Sequence, residues 1–235
     1  MDKVTLMLML KVGQFEHLES FRNGNVHFNP LSFFRNDSTT FRGDELEGTY
    51  IIDTSKGYFI NGIDISKFGV GFRATQTYAD SDSVLIFCAA ILDSNNTQFI
   101  RPNSINLFDE FSASMREFGQ YAVVFNGEKF LENIKIALKD VRCNSAWGKV
   151  EYCDKSNHGK VREYISKSEE KLGDAKIYFL KDELYSIQNE WRYVIDYIAP
   201  NTSLALNENG SLDLKIPMFP VSQIVDLDSA QKIPE

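Results

Sequence analysis

Cations are scarce in this chain: 25 Lys and Arg stand against 33 Asp and Glu, a formal net charge of −8. That balance disfavours a large phosphate-tracking surface but permits a small local basic patch. Long hydrophobic runs are lacking too. The longest, Val84 to Leu92, has nine residues, whereas a membrane-spanning helix needs about 20, so no membrane partner is expected. Only three cysteines occur, Cys88, Cys143 and Cys153, and an odd set cannot form a disulfide framework without leaving one thiol over. A reducing, cytoplasmic setting follows. The opening residues Met1 to Leu10 turn from basic to apolar, yet they include Asp2 and lack a small-residue cleavage site, which favours a strand over a signal peptide.

Metal and nucleotide signatures are likewise missing. The three histidines, His17, His27 and His158, are scattered, and Cys143, Cys153 and His158 have gaps of ten and five. That is not a zinc spacing, so no metal is predicted. Asp44, Glu45 and Glu47 do not follow the calcium-loop alternation of oxygen ligands. There is no Gly-x-Gly-x-x-Gly and no Gly-Lys-Ser/Thr phosphate loop, and Gly69-Val70-Gly71 reads as a strand fragment.

What remains is a globular composition, 43% hydrophobic, 13% aromatic and 25% charged over 235 residues. Such a chain buries a sizeable core, and the whole of 1–235 reads as a single domain. Leu6 to Val12 is an apolar first strand. Phe15, Leu18 and Phe21 recur at helical spacing up to Asn23-Gly24, a helix-ending pair. A short strand, Asn25 to Asn29, precedes a helix opened by Pro30. Residues 35–48 dissolve into charge, Ser, Thr and glycine, a loop that carries function or flexibility.

The middle is β-rich. Asn61-Gly62 between alternating apolar residues signals a hairpin over 57–65, and 68–77 and 83–92 read as further strands. Ile105, Phe108, Phe111, Met115 and Phe118 predict a helix over 104–118. A strand over 120–125, a helix over 127–141, a strand over 146–153 and a charged helix over 157–172 follow. The last third is β again, over 190–197, 212–216 and 222–227. Without a repeated β-α-β alternation, the fold class is α+β: mixed, mostly antiparallel sheets with peripheral helices.

Two clusters carry candidate chemistry. In a strand, Gln188, Glu190 and Arg192 share one face while Trp191, Tyr193, Ile195 and Tyr197 share the other. The aromatic set belongs to the core, so the polar row is either a rigid platform for a site or a solvated face with an ion pair. The second cluster runs from Phe33 to Gly48 and holds Arg35 and Arg42, whose planar guanidinium forks suit phosphate.

The order of these pieces resembles a family of prokaryotic proteins classed as a domain of unknown function and often found in mobile and phage-defence islands. The shared pieces are Leu10-Lys11-Val12, the passage Phe21 to Asn29, Pro30 to Phe34, Arg42-Gly43-Asp44 with Glu47-Gly48, and Phe179-x-Lys181 followed by Glu190-Trp191-Arg192. They span about residues 6–198. The family's usual Glu-x-Glu-aromatic-Arg is Gln188-x-Glu190-Trp191-Arg192 here.

Gln188-x-Glu190 on a late strand also resembles, more distantly, the catalytic strand of ADP-ribosyltransferases. That resemblance implies NAD as substrate, Glu190 as the carboxylate opposite the oxocarbenium-like ribose, and Gln188 orienting NAD or the acceptor. Lys11 takes the place of the family's first-strand Arg or His, and Asn29 that of its second-strand Ser or His, both departures from the pattern. Arg35 or Arg42 would hold the pyrophosphate. The implied protein is an effector or toxin in antiphage defence, held by a partner or antitoxin and modifying a protein or a nucleic acid. The alternative is a non-catalytic interaction or scaffold module using the 35–47 loop and the 157–172 helix; a nuclease lacks its metal-carboxylate motif.

Overall fold

The computed structural model describes residues 7–39, 43–53, 59–60, 63–64, 73–77, 81–101, 104–155, 157, 160–161, 163–164 and 170–228. The first half runs β1 (Leu8–Gly13), α1 (Phe15–Arg22), β2 (Asn25–Pro30), α2 (Leu31–Asn36), β3 (Thr49–Asp53), β4 (Phe59–Ile60), β5 (Ile63–Asp64), β6 (Arg73–Thr77) and β7 (Leu85–Ile91). The second runs β8 (Thr97–Arg101), β9 (Ser104–Leu107), α3 (Asp109–Arg116), β10 (Tyr121–Asn126), α4 (Gly127–Leu138), β11 (Cys143–Lys149) and β12 (Glu151–Cys153). It closes with β13 (Leu180–Asp182), β14 (Glu190–Ile198), β15 (Leu212–Lys215) and β16 (Val225–Asp226). Two 3₁₀ segments, Glu170–Phe179 and Glu183–Gln188, flank β13.

These elements make an α+β fold built on one eight-stranded sheet, ordered β11-β14-β7-β1-β10-β16, with β2 joined to β7 and to β15. All its pairings are antiparallel. The edge of β7 that faces away from β14 is shared by two strands. β1 takes its far end through Met9↔Ile91 and Leu10↔Ala90, and β2 takes its near end through Asn29↔Ile86 and Pro30↔Leu85. Between those contacts the sheet is split.

The alternation along β14 divides the core. Trp191, Tyr193 and Ile195 point to one face and meet Leu18 and Phe21 of α1 and Phe130, Ile134 and Leu138 of α4. Phe130 is the hub of that face, with the rings of Phe87, Phe125, Phe219 and Phe21 centred 4.7–5.7 Å away. Each such pair contributes roughly 0.5–1.5 kcal/mol beyond area burial. On the opposite face Val194 and Ile86 pack under Ala175, Ile177, Phe179 and Leu180. A third cluster seats Phe111 and Met115 of α3 on Leu10, Ala90 and Ala122.

Three expectations need correcting. The helix over 104–118 is instead β9, paired with β8, followed by the shorter α3. Phe108 caps the helix, its N–H bonded to Asn96, and Asp109 and Glu110 favour a helix start there; the 3.6-residue recurrence of Ile105 is coincidental. The strand over 146–153 is two strands, because Val150 turns the chain out of the sheet and β12 then pairs parallel with β13. The expected 157–172 helix is helical at 160, 161, 163 and 164, lies outside the described residues at 158, 159, 162 and 165–169, and is corrected only from Glu170 onward, where the backbone is 3₁₀. The hairpin over 57–65 is borne out by the antiparallel pairing of β4 with β5. No described helix is long and apolar enough to cross a membrane.

Candidate functional site

Glu190 and Arg192 alternate onto the same face of β14 and are buried under the segment that carries β12, β13 and the 3₁₀ turns. Gln188 reaches the same place by a different route. It ends a 3₁₀ turn rather than extending the strand, because Asn189 adopts φ 44°, ψ 50°. The Asn189 amide holds that left-handed residue by donating to Ile91 O and Asp93 Oδ2, at 2.8 and 3.0 Å. Asn is one of the few side chains that tolerate this conformation.

Lys181 draws the two together. Its Nζ donates to Gln188 Oε1 at 2.9 Å and to Glu190 Oε2 at 3.2 Å, and lies 4.6 Å from the centre of the Tyr185 ring. Arg192 uses all three guanidinium nitrogens. Nε and Nη2 go to Glu190, Nη1 and Nη2 go to Glu47 at 2.7 and 3.0 Å, and Nη1 also reaches Tyr178 O. The Glu190 backbone N–H donates to the Tyr152 hydroxyl at 2.8 Å. Lys155 Nζ donates to Asp44 Oδ2 and Leu46 O, at 3.1 and 2.7 Å.

Among the described residues, the buried charged side chains are Asp44, Glu47, Lys155, Lys181, Glu190 and Arg192, and all of them sit here. Three positive and three negative charges balance, as burial demands, since an unpaired ion in a low-dielectric interior costs several kcal/mol. Burial alone would raise the carboxyls of Glu190 and Glu47. Arg192 beside both outweighs it, Lys181 adds to the effect, and each carboxyl is held below the usual range. The neighbouring Cys88 thiol is pushed up by burial and then by the Glu190 charge, and the Tyr152 phenol by the same two causes in the same order. Both stay protonated.

The loop that delivers Glu47 is shaped by its own contacts. Asp44 Oδ1 accepts from the Leu46 N–H at 2.9 Å, and Gly48 takes φ +63°. A Cβ on Gly48 would lie 2.7 Å from Leu31 and 3.1 Å from the Tyr178 ring, so only glycine lets the loop approach this closely. Arg35 fixes the loop from outside: Nε donates to Glu47 O at 2.8 Å, and Nη1 to Ser81 Oγ at 3.1 Å and to Asp82.

The remaining residues singled out from sequence fall elsewhere. Lys11 enters the split in the sheet, where Cys88 O lacks a strand partner; its Nζ donates to that carbonyl at 2.7 Å and lies 4.5 Å from the centre of the Phe87 ring. Burial lowers its pKa, against the opposing pull of the nearby Glu190 carboxylate. Asn29 pairs with Ile86, whereas Glu190 pairs with Ala90, four residues along β7, about 13 Å at strand rise. It lines a separate hollow with Pro30, Ser32, Phe33, Asn36, Asp37 and Asn209. Arg42 lies outside the described residues. Gln188 and Glu190 are therefore brought together, Lys11 is nearby in the split, and Asn29 and Arg35 are apart from them.

Sequence reasoning gave no role to Lys155, Cys88 or Tyr152. Lys181 and Glu47 stood only in short recurring motifs, and no spacing rule joins Glu47 to a partner 145 positions away. Among the described residues no group of three or more His, Cys, Asp and Glu is gathered as metal ligands. Chemically, the arrangement is an ion lattice that joins the 43–49 loop, Lys155 after β12, β13 and β14. No protein-family model, curated protein or solved structure matches this chain.

Proposed function

We propose that this chain works by binding, as a non-catalytic interaction or scaffold module, and that the Gln188-x-Glu190 row serves the fold. The observation that carries this reading is the state of Glu190: only 6% exposed, with both carboxylate oxygens taken by Arg192 and one also by Lys181. A carboxylate that stabilises a developing oxocarbenium must face an open substrate position. Glu190 faces its own cations. Lys11 is likewise committed, to Cys88 O.

A second reading keeps the ADP-ribosyltransferase-like effector of antiphage defence, acting on NAD and restrained by a partner or antitoxin. It is favoured by one feature of the topology: the strands carrying Lys11, Asn29 and Glu190 all border β7. In that reading the 43–49 loop must move and take Glu47 from Arg192 before NAD enters.

One experiment separates the two. Purified wild-type protein and Glu190→Gln are incubated with labelled NAD and cell extract, and the unfolding temperature of each is measured. The binding reading expects no transfer by either protein and a marked loss of stability in the variant. Transfer by the wild type that Glu190→Gln abolishes, with little change in stability, would establish the enzyme.

A further inference from the structure

The hollow beside Asn29 differs in every respect from the ion lattice. It has a volume of about 330 Å³ and is lined by Asn29, Ser32, Phe33, Asn36, Asp37 and Asn209, with Pro30 in its wall. That volume lies at the small end of ligand-binding pockets. Three amides, a hydroxyl and one carboxylate face a lining without lysine or arginine, and Phe33 is 42% exposed beside them. The makeup selects the ligand. Without a cation and with Asp37 present, a phosphate or carboxylate has no charged partner. Amides offer paired donors and acceptors to hydroxyl groups, and a bare aromatic ring offers a flat apolar surface.

The polar groups are set in place before any ligand arrives. Asn209 Oδ1 accepts from the Ser211 N–H and from Ser211 Oγ, at 3.1 and 2.7 Å. Gly210 takes φ +80° against Pro30, and its N–H closes the turn on Asn207 O at 2.9 Å. The oxygen of Asn209 is thus occupied and its amide N–H₂ has no partner among the described residues. Asn29 is held as well: its side-chain amide lies 3.1 Å from His27 Nε2, and His27 Nδ1 lies 2.7 Å from Asp213 Oδ1. Asp213 is held in turn by Asn207 Nδ2 at 2.9 Å. One amide N–H₂ group, from the loop before β15, is therefore presented by a locked side chain, and Asn29 of β2 is held against His27, which reduces the entropy lost on binding.

From this we infer that the hollow is a binding site for a neutral polyhydroxylated ligand, a single sugar ring whose hydroxyls meet Asn29, Asn36, Asp37 and Asn209 while one ring face lies on Phe33. The inference stands apart from both functional readings, since it uses neither Glu190 nor Lys11.

The test is saturation-transfer-difference NMR and titration calorimetry on the full chain. The probes are methyl α-D-glucopyranoside, methyl β-D-galactopyranoside, methyl α-D-mannopyranoside, N-acetylglucosamine and D-ribose, with inorganic phosphate as the anionic control. At least one sugar is expected to bind with a dissociation constant on the order of a millimolar, as suits a ligand this small. Phe33→Ala and Asn209→Ala each weaken it by about tenfold or more, Phe33→Ala without lowering the unfolding temperature, and the distant Lys139→Ala leaves it unchanged. Failure of every sugar to bind, binding indifferent to both substitutions, or binding of phosphate in place of sugar overturns the proposal.

Discussion

Arg192 and Glu47, 145 positions apart in the chain, meet as a two-pronged pair, with Nη1 and Nη2 at 2.7 and 3.0 Å from the two carboxylate oxygens. Both side chains are about 1% exposed. Breaking one half of a buried pair strands the other charge and costs about 3–5 kcal/mol, while removing both is far milder. Arg192→Met and Glu47→Gln are each expected to destabilise strongly, and the double variant by at least about 1 kcal/mol less than their sum. Urea denaturation of the four proteins measures this, and strict additivity would contradict the pairing.

Acid should attack the same lattice. Because Arg192 holds Glu190 and Glu47 below their usual range in the folded chain, their contribution is complete above the unfolded carboxyl pKa, about 4.3, and is lost as pH falls through the lower folded values. Unfolding free energy should be level near neutrality and decline below about pH 4.3. Glu190→Gln, already less stable, should show a shallower decline. A pH series of denaturation curves with equal slopes for both proteins would refute this.

The thiols should be sluggish. Burial raises Cys88, Cys143 and Cys153 alike, with Glu190 adding to the effect at Cys88 and Asp196 at Cys143. Since the thiolate is the reactive form, Ellman's reagent at pH 8 should label the native protein more slowly than free cysteine, Cys88 last. Three thiols should appear at once in denaturant. A fast native burst at Cys88 would contradict its placement.

Gly24 joins α1 to β2 at φ +82°, and a Cβ there would lie 2.6 Å from Ile216 O. The same carbonyl belongs to the residue whose N–H binds Gly24 O at 2.8 Å. Gly24→Ala therefore combines a disfavoured backbone with a clash and should cost at least about 1 kcal/mol, a fall of about 2–4 °C or more in Tm for a chain this long.

Much of the fold was legible because it is written in local periodicity. β1, α1, β2, α2, β10, α4 and β14 all lie where alternation, helical spacing and the Asn23-Gly24 and Pro30 signals put them. The failures share a cause. The 104–118 pattern fitted a helix until Asn96 fixed Phe108 as a cap, and the break at Val150 depends on a hydrogen bond from its N–H to Glu190 O. Both are contacts with distant chain. The site was legible in part: alternation put Glu190 and Arg192 on one face, and Gln188 does join them, through Lys181 and despite the left-handed Asn189. Whether that face meets solvent or the buried charges of Glu47 and Lys181 depends on the 43–49 loop and on β13, which periodicity along β14 cannot reach.

Arg35 binds Glu47 with one nitrogen and Ser81 and Asp82 with another, so one guanidinium ties the residues just before β3 to those that follow β6. β3 and β6 pair only with each other. That single group clamps positions far apart in the chain, Glu47 and Ser81. Losing it would therefore unfasten the Glu47 and Ser81 ends together, so damage at one surface-facing arginine reaches the buried Glu47–Arg192 pair.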